Sequence, residues 1–200
     1  MGIFDMFRRE PPVAGRAALA DFIDAQSAFL AQKGMFEYSR ARAGPYGNIL
    51  FADQSFLAEL ERARWLAYPV TLAMVAEAVE GVLREAAGEQ RDTVRGSVIA
   101  ATLDVFDRYP RPASFEPEAW AKLREELAHD LTLIGLHAVK RVMDVPARFV
   151  DRYVGAMPIH EKLRAKDVPT IHNYLRTNLC NAHEVFLRRA DIGALVAALR

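Results

Sequence analysis

The sequence predicts an all-α protein, a single bundle of six to eight helices behind a short N-terminal segment. Three observations point there. Apolar residues recur at steps of three and four along most of the chain, the spacing that lines one face of an α-helix. Glycine and proline cluster between those stretches, where they act as breakers. No stretch makes a convincing strand. Two hundred residues with 52% apolar content suit one domain with an ample core and exclude a disordered chain.

The N-terminal segment is set apart. Residues 1–10 carry Ile3, Phe4, Met6 and Phe7, with Arg8 and Arg9 directly behind, and Pro11-Pro12 divides them from the body. This gives two units, residues 1–12 and a helical domain over 13–200. Apolar side chains followed by arginines suit an anionic membrane interface or a protein partner. Partial burial of four such side chains contributes roughly 3–5 kcal/mol and each arginine about 1, close to the marginal hold of a single lipid chain. A firm hold therefore needs a second contact. The bland readings are a flap on the protein's own core or a loose end. Met6 stands where a myristoylation signal needs serine or threonine.

From Gly15, the spacing of Leu19, Phe22, Ile23, Phe29 and Leu30 predicts a helix reaching about Arg42. Gly44-Pro45-Tyr46-Gly47-Asn48 ends it. Arg40, Arg42 and Tyr46 flank that turn, but no strand leads in and no Lys-Ser/Thr follows, so it reads as a connection and not a phosphate loop. Residues 56–87 hold the longest apolar face in the chain. Leu72, Val75, Val79, Val82 and Ala86 form the core side, while Glu77, Glu80, Arg84 and Glu85 are placed on the outer side, with Glu80 and Arg84 paired at the surface. Pro69 lacks an N–H, so a kink or break is expected at Tyr68. Trp65 and Tyr68 beside it fill the wedge between two helices or line a pocket. Gly88 is the expected C-cap.

A further helix is expected from about Asp92 to Tyr109, stopped by Tyr109-Pro110-Arg111-Pro112. Pro117 then sits in the first turn of the next, capped by Ser114 or Glu116. That helix carries Trp120, Leu123, Leu127, Leu131 and Ile134. Because residues 131–139 are apolar nearly all round, it should continue through the centre of the core. Asp144-Val145-Pro146 and Asp167-Val168-Pro169 each read as a helix start. Asp191 caps a final turn or two.

The chemical motifs are incomplete. Glu126 and His129 have the Glu-x-x-His spacing of di-iron bundles, but no second pair exists. His129-Asp130 lacks the upstream histidine that a metal phosphohydrolase needs. His172, Cys180, His183 and Glu184 share one expected helix; the two histidines lie about 16 Å apart along its axis, too far for one metal. Cys180 with His183 or Glu184 would need ligands from elsewhere. Cys180 reads as a buried structural thiol rather than a nucleophile. No nucleophile elbow, dinucleotide fingerprint or zinc-finger spacing occurs.

Twenty-six basic and 26 acidic residues cancel, and no basic recognition helix appears, so nucleic acid is not an expected partner. One cysteine excludes an internal disulfide and favours a reducing compartment. No segment looks long and apolar enough to span a bilayer, and the N-terminus does not read as a signal peptide. The resulting expectation is a cytoplasmic, non-enzymatic helical adaptor or assembly factor. It calls for no cofactor, binds a protein partner or its own copy, and touches the membrane through Ile3, Phe4, Met6, Phe7, Arg8 and Arg9. The alternative is a small-molecule site, or a metal-dependent enzyme near the His/Cys-bearing C-terminal helices, with a pocket around Trp65, Tyr68, His137 and Tyr174.

Overall fold

The computed structural model describes residues 11–200, the side chains at 161, 163 and 165 excepted. The proposed membrane or partner contacts at Ile3 to Arg9 therefore lie outside the described residues. The fold is all-α, and the helices of the described residues pack in one bundle. In chain order these are α1 (Arg16–Ala43), the single turn α2 (Gly47–Leu50), α3 (Gln54–Ala87), α4 (Arg91–Asp107), α5 (Pro117–Thr132), α6 (Val150–Ala156), α7 (Glu161–Arg189) and α8 (Ile192–Ala198). Val13 ties the chain's entry to its far end. Its N–H donates to the Arg189 carbonyl at 2.9 Å, and its own carbonyl accepts from Asp191 at 3.0 Å.

Helix α3 is the axis on which the others pack. Residues 67–80 are buried without interruption, so this helix is enclosed by neighbours on all sides. Asp53 caps it by accepting from the Ser55 N–H at 2.8 Å, and Gly88 closes it at φ 54°, a conformation that glycine adopts without penalty. The expected break at Pro69 does not occur; the helix runs through it. One lost backbone bond is outweighed where the surrounding helical turns are buried on every side. The Thr71 hydroxyl adds a tie there, lying 2.8 Å from the Tyr68 carbonyl and 2.9 Å from that of Ser27 on α1.

Continuity has a second consequence. The helical stretch Gln54–Asp107 is long and apolar enough, by length and composition, to cross a membrane, contrary to the expectation that no segment is. Its best window has mean hydropathy 1.5, yet 83% of that window is buried against the protein's own helices. The apolar surface is used in the core.

Two further expectations give way. Helix α5 stops at Thr132 instead of carrying 131–139 through the core. Leu131 and Ile134 are buried, but Leu136 is 71% and Val139 53% exposed. The cause is Gly135 at φ 84°, a left-handed residue that turns the chain out of the helix. Asp167 likewise starts nothing. Helix α7 begins at Glu161, capped by His160, and passes through Pro169. The Asp167 carboxylate instead accepts from the Tyr38 hydroxyl and from Arg42 Nη2 at 2.6 Å, joining α7 to α1. Asp144-Val145-Pro146 lies within the 3-10 turns Val142–Arg148 that precede α6.

Candidate functional site

Glu77 and Glu80 are three residues apart on α3 and so share one side of it. They are not on the solvent side: Glu77 is 5% and Glu80 2% exposed. This corrects the outward placement drawn from the sequence. The physical reason is the chain after α5. Turned out at Gly135, it folds back over that side of α3 and delivers cations to the carboxylates. Lys140 Nζ donates to Glu77 Oε1 at 3.0 Å and Arg148 Nη2 to Oε2 at 2.9 Å. His137 Nε2 lies 3.5 Å from the same carboxylate. Glu80 takes Arg84 side-on, at 2.9 Å to Nε and 2.6 Å to Nη2. Arg84 Nη1 then donates to the His137 carbonyl at 2.6 Å, fastening the covering segment to α3. Buried carboxylates persist only when paired this way.

Between α3, this covering segment and α7 runs a cleft of about 370 Å³, within the size range of small-molecule sites. Its polar wall includes Glu77, Arg84, His137, Lys140 and His183; its apolar wall includes Gly81, Val82, Val139, Val145 and Leu187. Gly81 forms part of the floor. A Cβ there would stand 3.2 Å from Val139 Cγ1, so a larger residue narrows the cleft. A second recess adjoins it through Arg84 and His137, bordered by Glu80, Arg91, Arg95 and Gly135. Arg95 packs over Gly135, where a Cβ would meet its Cδ at 2.6 Å. Burial holds the His183 imidazole below its ordinary pKa, with Glu184 opposing, which favours a neutral ring in the wall.

The four residues of the sequence-derived pocket do not share one cavity. His137 lines the cleft. Trp65 and Tyr68 border a separate recess of about 130 Å³ with Gln32, Arg64 and Tyr109. With α3 unbroken at Pro69 there is no wedge to fill; the Trp65 ring instead meets Tyr68, Tyr109 and Trp120 at 5.8, 5.3 and 5.7 Å. Beneath them the Asp24 carboxylate accepts from the Tyr68 and Tyr109 hydroxyls at 2.7 and 2.9 Å. Tyr174 belongs to neither cavity and lies against α1, its hydroxyl 3.4 Å from the Leu30 carbonyl.

Of the α7 candidates, only His183 reaches the cleft. Burial raises the Cys180 thiol above its ordinary pKa, partly offset by Arg176. His172 buries an Nε2 without a hydrogen-bond partner. Glu126 pairs with Lys122 at 3.9 Å, and His129 is exposed. Among the described residues no group of three or more His, Cys, Asp or Glu is arranged to hold a metal ion. Sequence reasoning missed Glu77 and Lys140 in the lining of the cleft and Glu80 in the adjoining recess. The available signal was two carboxylates set three apart inside an otherwise unbroken apolar run.

The class defined by fold and site is thus an all-α bundle with a cleft of mixed polar and apolar lining beside its central helix. No protein-family model, curated protein or solved structure matches the chain.

Proposed function

We propose that the protein binds a small organic molecule in the cleft between α3, α7 and the segment following α5. The observation that supports this is a concave, mixed surface in which charged and imidazole groups converge among apolar side chains. Both carboxylates are committed to cations, so the cleft is furnished for recognition. The test is shift mapping by NMR during titration with a panel of anionic, neutral and cationic small molecules. The expected perturbations cluster at residues 77–85, 137–145 and 183–187. Binding confined to other surfaces, or none across the panel, would overturn the proposal.

A second reading has its own observation. Phe29 and Phe36 are seven apart on α1 and stay exposed, as do Tyr46 and Ile49, at 73% and 72%, in the turn that follows. Lys33 lies over the Phe29 ring at 5.0 Å, and Arg40 is exposed on the same side. Aromatic and aliphatic groups among cations suit a membrane interface or a protein partner. This surface would supply the second contact that residues 1–10 need. In this reading the chain is a cytoplasmic adaptor at the membrane periphery. Co-sedimentation with vesicles containing anionic lipid should fall when Phe29→Ser and Phe36→Ser are combined, and again on deleting residues 1–10. Unchanged sedimentation in both would remove the membrane half.

A further inference from the structure

We infer that the cleft's ligand is an amphipathic monocarboxylate, its anionic head at Lys140 and its apolar body along Gly81, Val82, Val139 and Leu187. The inference rests on the cleft reading above and adds the ligand's chemistry. It begins with charge. The Glu80–Arg84 pair is neutral, and Arg84 spends a further N–H on the His137 carbonyl. Arg141 answers Asp144 at 2.8 Å. Glu77, by contrast, faces two cations, Lys140 and Arg148, so the buried carboxylate is outnumbered there, while Glu85 on the same cleft is exposed to solvent. Of the two, Lys140 lines the cleft, and only one of its three N–H donors is used, toward Glu77. A half-buried ammonium with spare donors gains most from a single anionic oxygen pair.

Hydrogen-bonding capacity agrees with charge. The buried His137 Nε2, 3.5 Å from Glu77 Oε1, makes no hydrogen bond among the described residues, and its ring lines the cleft with Lys140. A carboxylate placed at Lys140 meets the spare N–H donors of the cation, with the imidazole ring alongside in the same lining. The same lining supplies apolar surface: Val82, Val139 and Leu187, the last two half-exposed and free to cover an alkyl or aryl body. Glu85 is exposed and borders the same cleft, so a second carboxylate on the ligand is repelled there. This restricts the class to one acid group.

Octanoate serves as the probe, with octanol, octylamine and octanedioate as controls, titrated calorimetrically into the full chain. Octanoate should bind, and the controls should bind at least about tenfold more weakly. Lys140→Gln leaves Glu77 its Arg148 partner and should weaken octanoate about tenfold. Gly81→Val, which fills the floor, should abolish binding. Melting curves establish that each variant is folded, and Lys140→Gln carries the test if Gly81→Val is not. Equal affinity for octanol or octylamine, or unchanged affinity in Lys140→Gln, would overturn the carboxylate assignment. If a neutral or cationic probe binds and Gly81→Val removes it, the assignment falls while the cleft reading stands. Binding untouched by Gly81→Val ends both.

Discussion

Gly34 shows how closely α1 is packed. A Cβ on it would stand 1.9 Å from the Tyr153 hydroxyl and 2.8 Å from Tyr174 Cε1. The missing side chain admits Tyr153, wholly buried, whose hydroxyl donates to the Leu30 carbonyl at 2.8 Å. Gly34→Ala adds helix propensity worth under ~1 kcal/mol but forces the tyrosine aside, at a cost of up to ~3 kcal/mol. The variant should therefore be about 2 kcal/mol less stable in urea unfolding. Adding Tyr153→Phe, which alone loses about 1 kcal/mol, should cost less in the Gly34→Ala background because it removes the clashing atom. Strict additivity would contradict this account. Nothing in the periodicity of α1 marks Gly34 as special, because its partner arrives from α6.

At the scale of elements, the segment between α5 and α6 owes its position to Glu77 and Glu80. Its apolar anchors, Ile134 and Val145, lie toward its ends, and between them Leu136 and Val139 are exposed, so the middle of the segment relies on ion pairs to stay down. Glu77→Ala strips Lys140 and Arg148 of their shared partner. Breaking a buried pair costs 3–5 kcal/mol, and here the partly exposed cations recover some hydration, so a loss of ~2–3 kcal/mol is expected. Hydrogen exchange should speed up across residues 133–148 and remain slow in the centre of α3. Uniform loss of protection, or none, would refute the latch. The same comparison shows how legible the elements were. The limits of α1, α4 and α8, the start of α5, the Gly88 cap and the Asp191 cap followed from local chemistry. Three local rules failed where tertiary contacts competed with them. Pro69 lies within a fully enclosed helix, Asp167 found Tyr38 and Arg42, and Gly135 interrupted an apolar run that periodicity read as helix.

Across the whole molecule, Tyr38, Tyr68, Tyr109, Tyr153 and Tyr174 carry raised pKa values. Burial is the first cause at Tyr68, Tyr109, Tyr153 and Tyr174, and the Asp24 carboxylate adds to it at Tyr68 and Tyr109. The folded state thus keeps these phenols protonated after the unfolded chain, titrating near the ordinary 10.0, has begun to lose its protons. Their contribution to stability is complete below pH 10 and declines as pH rises above it, by up to ~1.4 kcal/mol per pH unit for a deeply buried phenol. Urea unfolding should show a plateau from pH 8 to 10 and then a fall that is shallower in Tyr68→Phe. A level profile to pH 11 would contradict this.

The sequence by itself determined the all-α class, most helix limits and the central place of the 56–87 stretch, because each depends on residues within a turn or two of one another. The tertiary structure alone decided the site. Whether Glu77 faces water or lies in the core depends on Lys140 and Arg148, 63 and 71 residues away, and no local pattern encodes a pairing over that distance. Apolar periodicity records which residues avoid water. It does not record which polar residues are buried because a distant cation meets them, and the cleft is built from those.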